Sequence, residues 1–202
     1  MRGDYTGVRP KWFAPILEEG STVSTAQDET AASHTRSPDR WLAVLRIVVG
    51  VWFLKGVVTK LSVTLAWGFL PVPTASERWL HTMPILIAKY ADGNPIGFVK
   101  GFLENTVLPH GPLFAQLTAL GEAAVGIGLT FGLLTAVASA LGLWLVVNYG
   151  LASQWLGFSQ QGFHVVLAAC MIAFFFSRAG RTWGLDARVR ARWPGSRIVR
   201  IT

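Results

Sequence analysis

Apolar positions in this chain fall into long unbroken runs, not into the alternation of a half-buried strand or the single stripe of a surface helix. The first run extends from Trp41 to about Val63, with Pro38-Asp39 as a helix start just before it. A second covers about residues 113–134. After a connection of only Thr135-Ala136 a third continues over 136–156, and a brief turn at Gly157–Gly162 leads to a fourth, 160–178, if Gln160 and Arg178 snorkel from its ends. Runs of about 20 apolar residues suit a hydrocarbon core roughly 30 Å thick. The pattern predicts an all-α integral membrane four-helix bundle, its later spans joined by hairpin turns. Residues 64–113 break the rhythm with prolines and short amphipathic pieces, which predict small interfacial helices in the loop between spans one and two. Thr74-x-x-Glu77 has the form of a capping box, Thr82 precedes Met83-Pro84, and Asn94-Pro95 opens a segment with Ile96, Val99 and Leu103 at helical spacing. An irregular loop is the competing expectation there.

Composition agrees with the pattern: 51% hydrophobic residues and 14% charged ones, with a mean hydropathy of +0.43, exclude an ordinary soluble domain. The lone Cys170 excludes an internal disulfide and a paired-thiol redox motif. Residues 1–40, rich in Ser, Thr, Asp and Glu, predict a disordered cytoplasmic tail. Residues 41–178 form the membrane domain and 179–202 a basic cytoplasmic tail. The formal charge of +7 does not call for nucleic acid, because its excess sits in seven arginines from Arg178 to Arg200 beside the last span. Anionic lipid headgroups account for them at about 1 kcal/mol per cation. Arg36 and Arg40 flank span one, whereas the 64–113 loop balances Arg78, Lys89 and Lys100 against Glu77, Asp92 and Glu104. Both termini are therefore expected in the cytoplasm, in a bacterial or archaeal cytoplasmic membrane. Trp41 and Trp183 would mark the inner interface, Trp67 and Trp155 the outer one.

Ionisable groups inside a span cost about 2.5–3.5 kcal/mol each on insertion scales, so each is a site candidate whose partner should be named. Here they are Arg46, Lys55 and Lys60 in span one, Glu122 in span two and His164 in span four, with Asn148 and Gln154 adding neutral polarity in span three. At 1.5 Å per residue, Glu122 lies about 12 Å and His164 about 6 Å below the outer ends of their spans. Lys60 lies near the outer end of its span and Lys55 at about the depth of Glu122. Arg46 lies within about 8 Å of the inner end, where it could snorkel. A polar pocket in the outer leaflet follows, built from Lys55 or Lys60, Glu122, Asn148, Gln154 and His164. Arg46, Gly50, Phe53, Val57 and Lys60 share one helix face, and Lys60 is favoured over Lys55 as the partner of Glu122. Gly121, Gly128 and Gly132 form a small-residue stripe for close helix contact. The bland alternatives are an ion pair that only locks helices and a histidine that only packs. One intramembrane histidine assembles neither a metal site nor a paired-histidine haem site.

Several of these residues stand in a recognisable order. Leu45-Arg46-Ile47-Val48-Val49-Gly50 with Phe53 and Lys60-Leu61, then Glu122 with Gly126 and Gly132-Leu133-Leu134-Thr135, then Ala179-Gly180-Arg181-Thr182-Trp183-Gly184-Leu185-Asp186, resemble the DoxX family of small four-helix membrane proteins. That family includes the DoxD-type large subunit of thiosulfate:quinone oxidoreductase. The resemblance spans about Trp41 to Asp186. The glycine usual three residues before the span-one lysine is Val57 here, with Gly56 beside it, and the basic residue common after Gly-Leu-Leu-Thr is Ala136. The resemblance implies a subunit associated with a respiratory or sulfur redox complex, other membrane or peripheral subunits as partners, and contact with quinone in the outer-leaflet pocket. Glu122 and His164 would then exchange protons, and Lys60 would orient the head group. No motif for flavin, iron–sulfur or haem is present. A non-catalytic scaffold that docks partner proteins and a small transporter are the alternatives.

Overall fold

The computed structural model describes residues 38–195. The predicted N-terminal tail, up to residue 37, and the end of the C-terminal tail lie outside the described residues. Helix α1, Pro38–Lys60, starts at the expected Pro38-Asp39. Proline suits the first turn because no intrahelical donor is lost there, and Asp39 at the start and Lys60 at the end complement the helix dipole. The spans continue as α4 (Gly111–Phe131), α5 (Thr135–Ser153) and α6 (Phe158–Ser177), with a 3-10 turn at Gln154–Leu156 after α5. All four are long and apolar enough to cross a membrane. The molecule is an all-α, multi-pass integral membrane bundle.

Span one ends earlier than its apolar run. At Leu61 the chain leaves the helix for a hairpin, β1 (Leu61–Ala66) and β2 (Leu70–Ala75), paired antiparallel from Leu61↔Ala75 to Ala66↔Leu70. Pro71 and Pro73, two residues apart, forbid a helix, and the β-branched Val63, Thr64 and Val72 suit a strand. Trp67 and Gly68 turn the chain with φ of 52° and 80°, both left-handed. The expectation of helices alone in this loop missed that element.

Interfacial helices follow: α2 (Glu77–Asp92) and α3 (Gly97–Phe102), the latter running into a π-turn over Leu103–Val107. The cap of α2 is Ser76, whose hydroxyl accepts from Trp79 N, not Thr74; Pro84 lies inside α2, so Thr82 starts nothing. Asn94 does open the next segment, accepting from Ile96 N at 3.0 Å while donating to Leu151 and Ala152 carbonyls at the end of α5. Trp155 packs on Gly93 and donates to the Tyr90 carbonyl of the same loop region.

The core between the spans is built from Val49, Phe53, Val125, Leu129, Leu145, Val146, Met171 and Phe174. Gly50 lies where a Cβ would come 2.5 Å from Thr130 N, and Gly128 where it would come 2.6 Å from the Ala138 Cβ. Gly132 is not part of a helix stripe; it ends α4 in the left-handed conformation at φ 61°. Beneath that turn lies a fully buried Arg46, which does not snorkel. Its Nη2 donates to the Thr182 and Trp183 carbonyls at 3.5 and 3.4 Å, and Gly132 leaves the space its Nη1 occupies. The expected basic tail is likewise built in at its start. After a 3-10 turn at Ala179–Arg181, Asp186 at the head of α7 (Leu185–Arg192) is 1% exposed. Its carboxylate accepts from Leu134 N at 2.7 Å and Thr135 N at 2.9 Å, capping α5 from a distant part of the chain.

Candidate functional site

Near the hairpin end of the bundle, Lys60 on the last turn of α1 meets Glu122 in the middle of α4. The ammonium lies 2.6 Å from Oε1 and 2.8 Å from Oε2, with side-chain exposures of 21% and 8%. The pairing needs Gly56: a Cβ there would strike Glu122 Oε2. Gly56, one turn before Lys60, thus supplies room beside the lysine where the glycine usual in the resembled family is Val57. Tyr149 on α5 donates its hydroxyl to Oε1 at 2.9 Å. Trp79 of α2 closes the other side, its ring 4.5 Å from the Lys60 ammonium and its Nε1 held by the Ala115 carbonyl at 3.2 Å.

The cluster forms part of the wall of a cavity of about 310 Å³ lined by residues of α1, α4, α5 and α6. Its remaining lining is largely apolar and aromatic, with Trp52 edge-on to Phe163 at 5.8 Å and Phe163 edge-on to His164 at 5.4 Å. His164 lines the cavity with Nδ1 2.7 Å from the Gln160 carbonyl. A carbonyl can only accept, so Nδ1 carries a proton and Nε2 is the ring atom left to accept one. Lys55 lies at the cavity edge, its ammonium 5.0 Å from the Trp52 ring.

Of the residues the sequence proposed, Lys55, Lys60, Glu122 and His164 share this cavity. Asn148 does not line it; it donates to the Trp144 carbonyl of its own helix at 2.7 Å. Gln154 begins the turn after α5, also outside the lining. Arg46, Gly50, Gly128 and Gly132 belong to the packing at and below the core. Sequence reasoning missed Tyr149, Trp79 and Gly56. Tyr149 had a signal: Gly142, Leu145, Val146 and Tyr149 fall at helical spacing, so a phenol on that stripe turns inward.

The arrangement can hold a carboxylate in place through Lys60 and Tyr149, present cationic donors, and exchange protons through carboxylate and imidazole beside an apolar recess. A family model described as TQO small subunit DoxD matches residues 41–199 of this chain, well over half of its 202 residues. The chain belongs to the DoxD family. It is thus a membrane protein of an oxidoreductase-subunit family, and the DoxD description names a small subunit, which corrects the large-subunit designation. No curated protein and no solved structure matches the chain.

Proposed function

We propose that this DoxD-family chain is the membrane subunit through which a redox complex meets a lipid-borne quinone, with the head group received beside Glu122 and His164. The observation that carries this reading is the Lys60–Glu122–Tyr149 cluster set in the wall of a cavity whose other lining is largely apolar and aromatic. A pair that only locked α1 to α4 would need no such space. When bound, a quinone supplies an acceptor for two electrons and two protons. The residues suit it: apolar walls for the ring, and cationic donors on Lys60 and Lys55 at the rim, with Tyr149 holding Glu122 in place. Lys60 orients a carbonyl oxygen, while Glu122 and His164 hold and pass protons. Electrons come from a partner subunit or a small reduced donor, because the sequence has no motif for a redox group of its own.

The test is quinone reduction by the complex purified from native membranes. Glu122→Gln should lower the rate by about 100-fold and leave the protein folded in the membrane; equal activity removes the proposal. By the same reasoning we place the chain in the wider DoxX group, with both tails cytoplasmic and the arginines of the last tail on anionic headgroups. Labelling of single cysteines from the two sides of sealed vesicles checks the orientation: a tail cysteine should react only from the cytoplasmic side.

A further inference from the structure

The hairpin after α1 has two edges, and only one is closed. Pro71 and Pro73 carry no N–H and face Leu65 and Val63 across the pair. Those pairs are therefore the ones without ladder bonds, and at odd-numbered positions the backbone groups point outward. On β2 the outward edge is blunted: two donors are missing, and Gln116 occupies two of the remaining groups, accepting from Ala75 N at 2.6 Å and donating to the Pro73 carbonyl at 3.1 Å. On β1 the outward N–H and C=O groups of Val63 and Leu65 meet no hydrogen-bond partner among the described residues. Both side chains are exposed, 70% and 62%. Natural sheets protect edges of this kind, and protection of one edge alone marks the other as available for pairing.

We propose that the β1 edge pairs with the β1 edge of a second copy of this chain, joining two hairpins into a four-stranded sheet. Three observations select a second copy. The segment from Leu61 to Ala75 contains no charged residue, so an uncharged strand is its complement, and β1 itself is one. The chain outside residues 38–195 joins at Pro38 and Gly195; the first of these lies at the end of α1 opposite to the hairpin, and the second follows α6, whose C-terminus is at that same end. A strand supplied in trans reaches this edge without a crossing of the membrane. Finally, Val63, Leu65, Pro71 and Pro73 share one exposed apolar face, and Trp67 and Phe69 at the tip are exposed by 83% and 76%. A hairpin with such a face lies flat on the bilayer, keeping its polar edge out of the hydrocarbon. A second copy presents the same edge at the same height.

The register follows. A twofold axis through Thr64 pairs Val63 with Leu65 of the second copy and the reverse, giving four backbone hydrogen bonds. The axis of an antiparallel pair is perpendicular to its sheet, so a flat hairpin puts it along the membrane normal, as two copies inserted alike require. The two Thr64 Cα atoms then lie about 4.5 Å apart, within disulfide range. The two Val72 Cα atoms, three strand spacings apart, lie at about 14 Å.

The experiment is mild oxidation of the full chain in its native membranes, in a Cys170→Ser background. Thr64→Cys should give at least tenfold more disulfide dimer than Val72→Cys, and adding Val63→Pro, which removes an outward donor without touching the β1–β2 ladder, should bring the yield down to the Val72→Cys level. Equal yields for the two single cysteines overturn the proposal. So does a heavier adduct of Thr64→Cys with another protein, which would put a foreign strand on this edge.

Discussion

A methyl group at position 56 would collide with a carboxylate oxygen of Glu122, so the smallest side chain in the site sets where its carboxylate can lie. Gly56→Ala should displace Glu122 and destabilise the protein by about 1–3 kcal/mol. Gly101→Ala, where the nearest atom would be 3.8 Å away, should cost no more than a few tenths of a kcal/mol or stabilise its helix. Thermal unfolding in mild detergent distinguishes the two. The ion pair makes a sharper prediction. Lys60→Met leaves Glu122, 8% exposed, without its cation and should cost about 3–5 kcal/mol, whereas Lys60→Met with Glu122→Leu should recover most of that loss, because an apolar pair needs no compensation. If the double variant melts no higher than the single one, Glu122 is not held by Lys60. Tyr149→Phe removes one hydrogen bond to a charged acceptor and should cost about 1.5–3 kcal/mol by the same measurement.

At the scale of elements, α5 depends on a residue 50 or so positions away for its start. Leu134 precedes it in a left-handed conformation, and no side chain of α5's own neighbourhood caps the first amides. Asp186 does so with both oxygens. Asp186→Ala should therefore destabilise the protein by about 1–2 kcal/mol and speed hydrogen exchange at Leu134 and Thr135 more than elsewhere in α5. Unchanged exchange there would mean that the cap carries no energy. The hairpin belongs to the same scale. Its β-branched and proline residues could be read from the chain, but its apolar run was continuous with span one, and only where α1 ends separates membrane helix from strand.

For the whole molecule, the segment from Ala179 to Asp186 is a structural part of the bundle. It covers Arg46 with the Thr182 and Trp183 carbonyls and delivers the cap of α5. A chain ending after Gly195 should insert and melt like the full one, and a chain ending after Arg178 should fail to give a folded bundle in detergent; equal thermal stability of both would contradict this. Arg46→Leu supplies a companion test. A snorkelling arginine would tolerate leucine, but one that is buried against carbonyls should lose its clasp on the last segment and lower the melting temperature.

Four spans, an apolar exterior and the ionisable residues Lys60, Glu122 and His164 on those spans were determined by the sequence itself, because helices that cross a bilayer must be long and apolar and any ionisable group on them is conspicuous. Family membership follows from that same order of residues. The structure alone decided which lysine meets Glu122, that Tyr149 completes the site while Asn148 and Gln154 turn away, and that Arg46 and Asp186 are buried at the far end. Those outcomes depend on how each helix is rotated and where each one stops. Rotation and length are fixed by contacts between segments far apart in the chain, such as Gly56 against Glu122 and Asp186 against Thr135, and a hydropathy pattern carries no record of them.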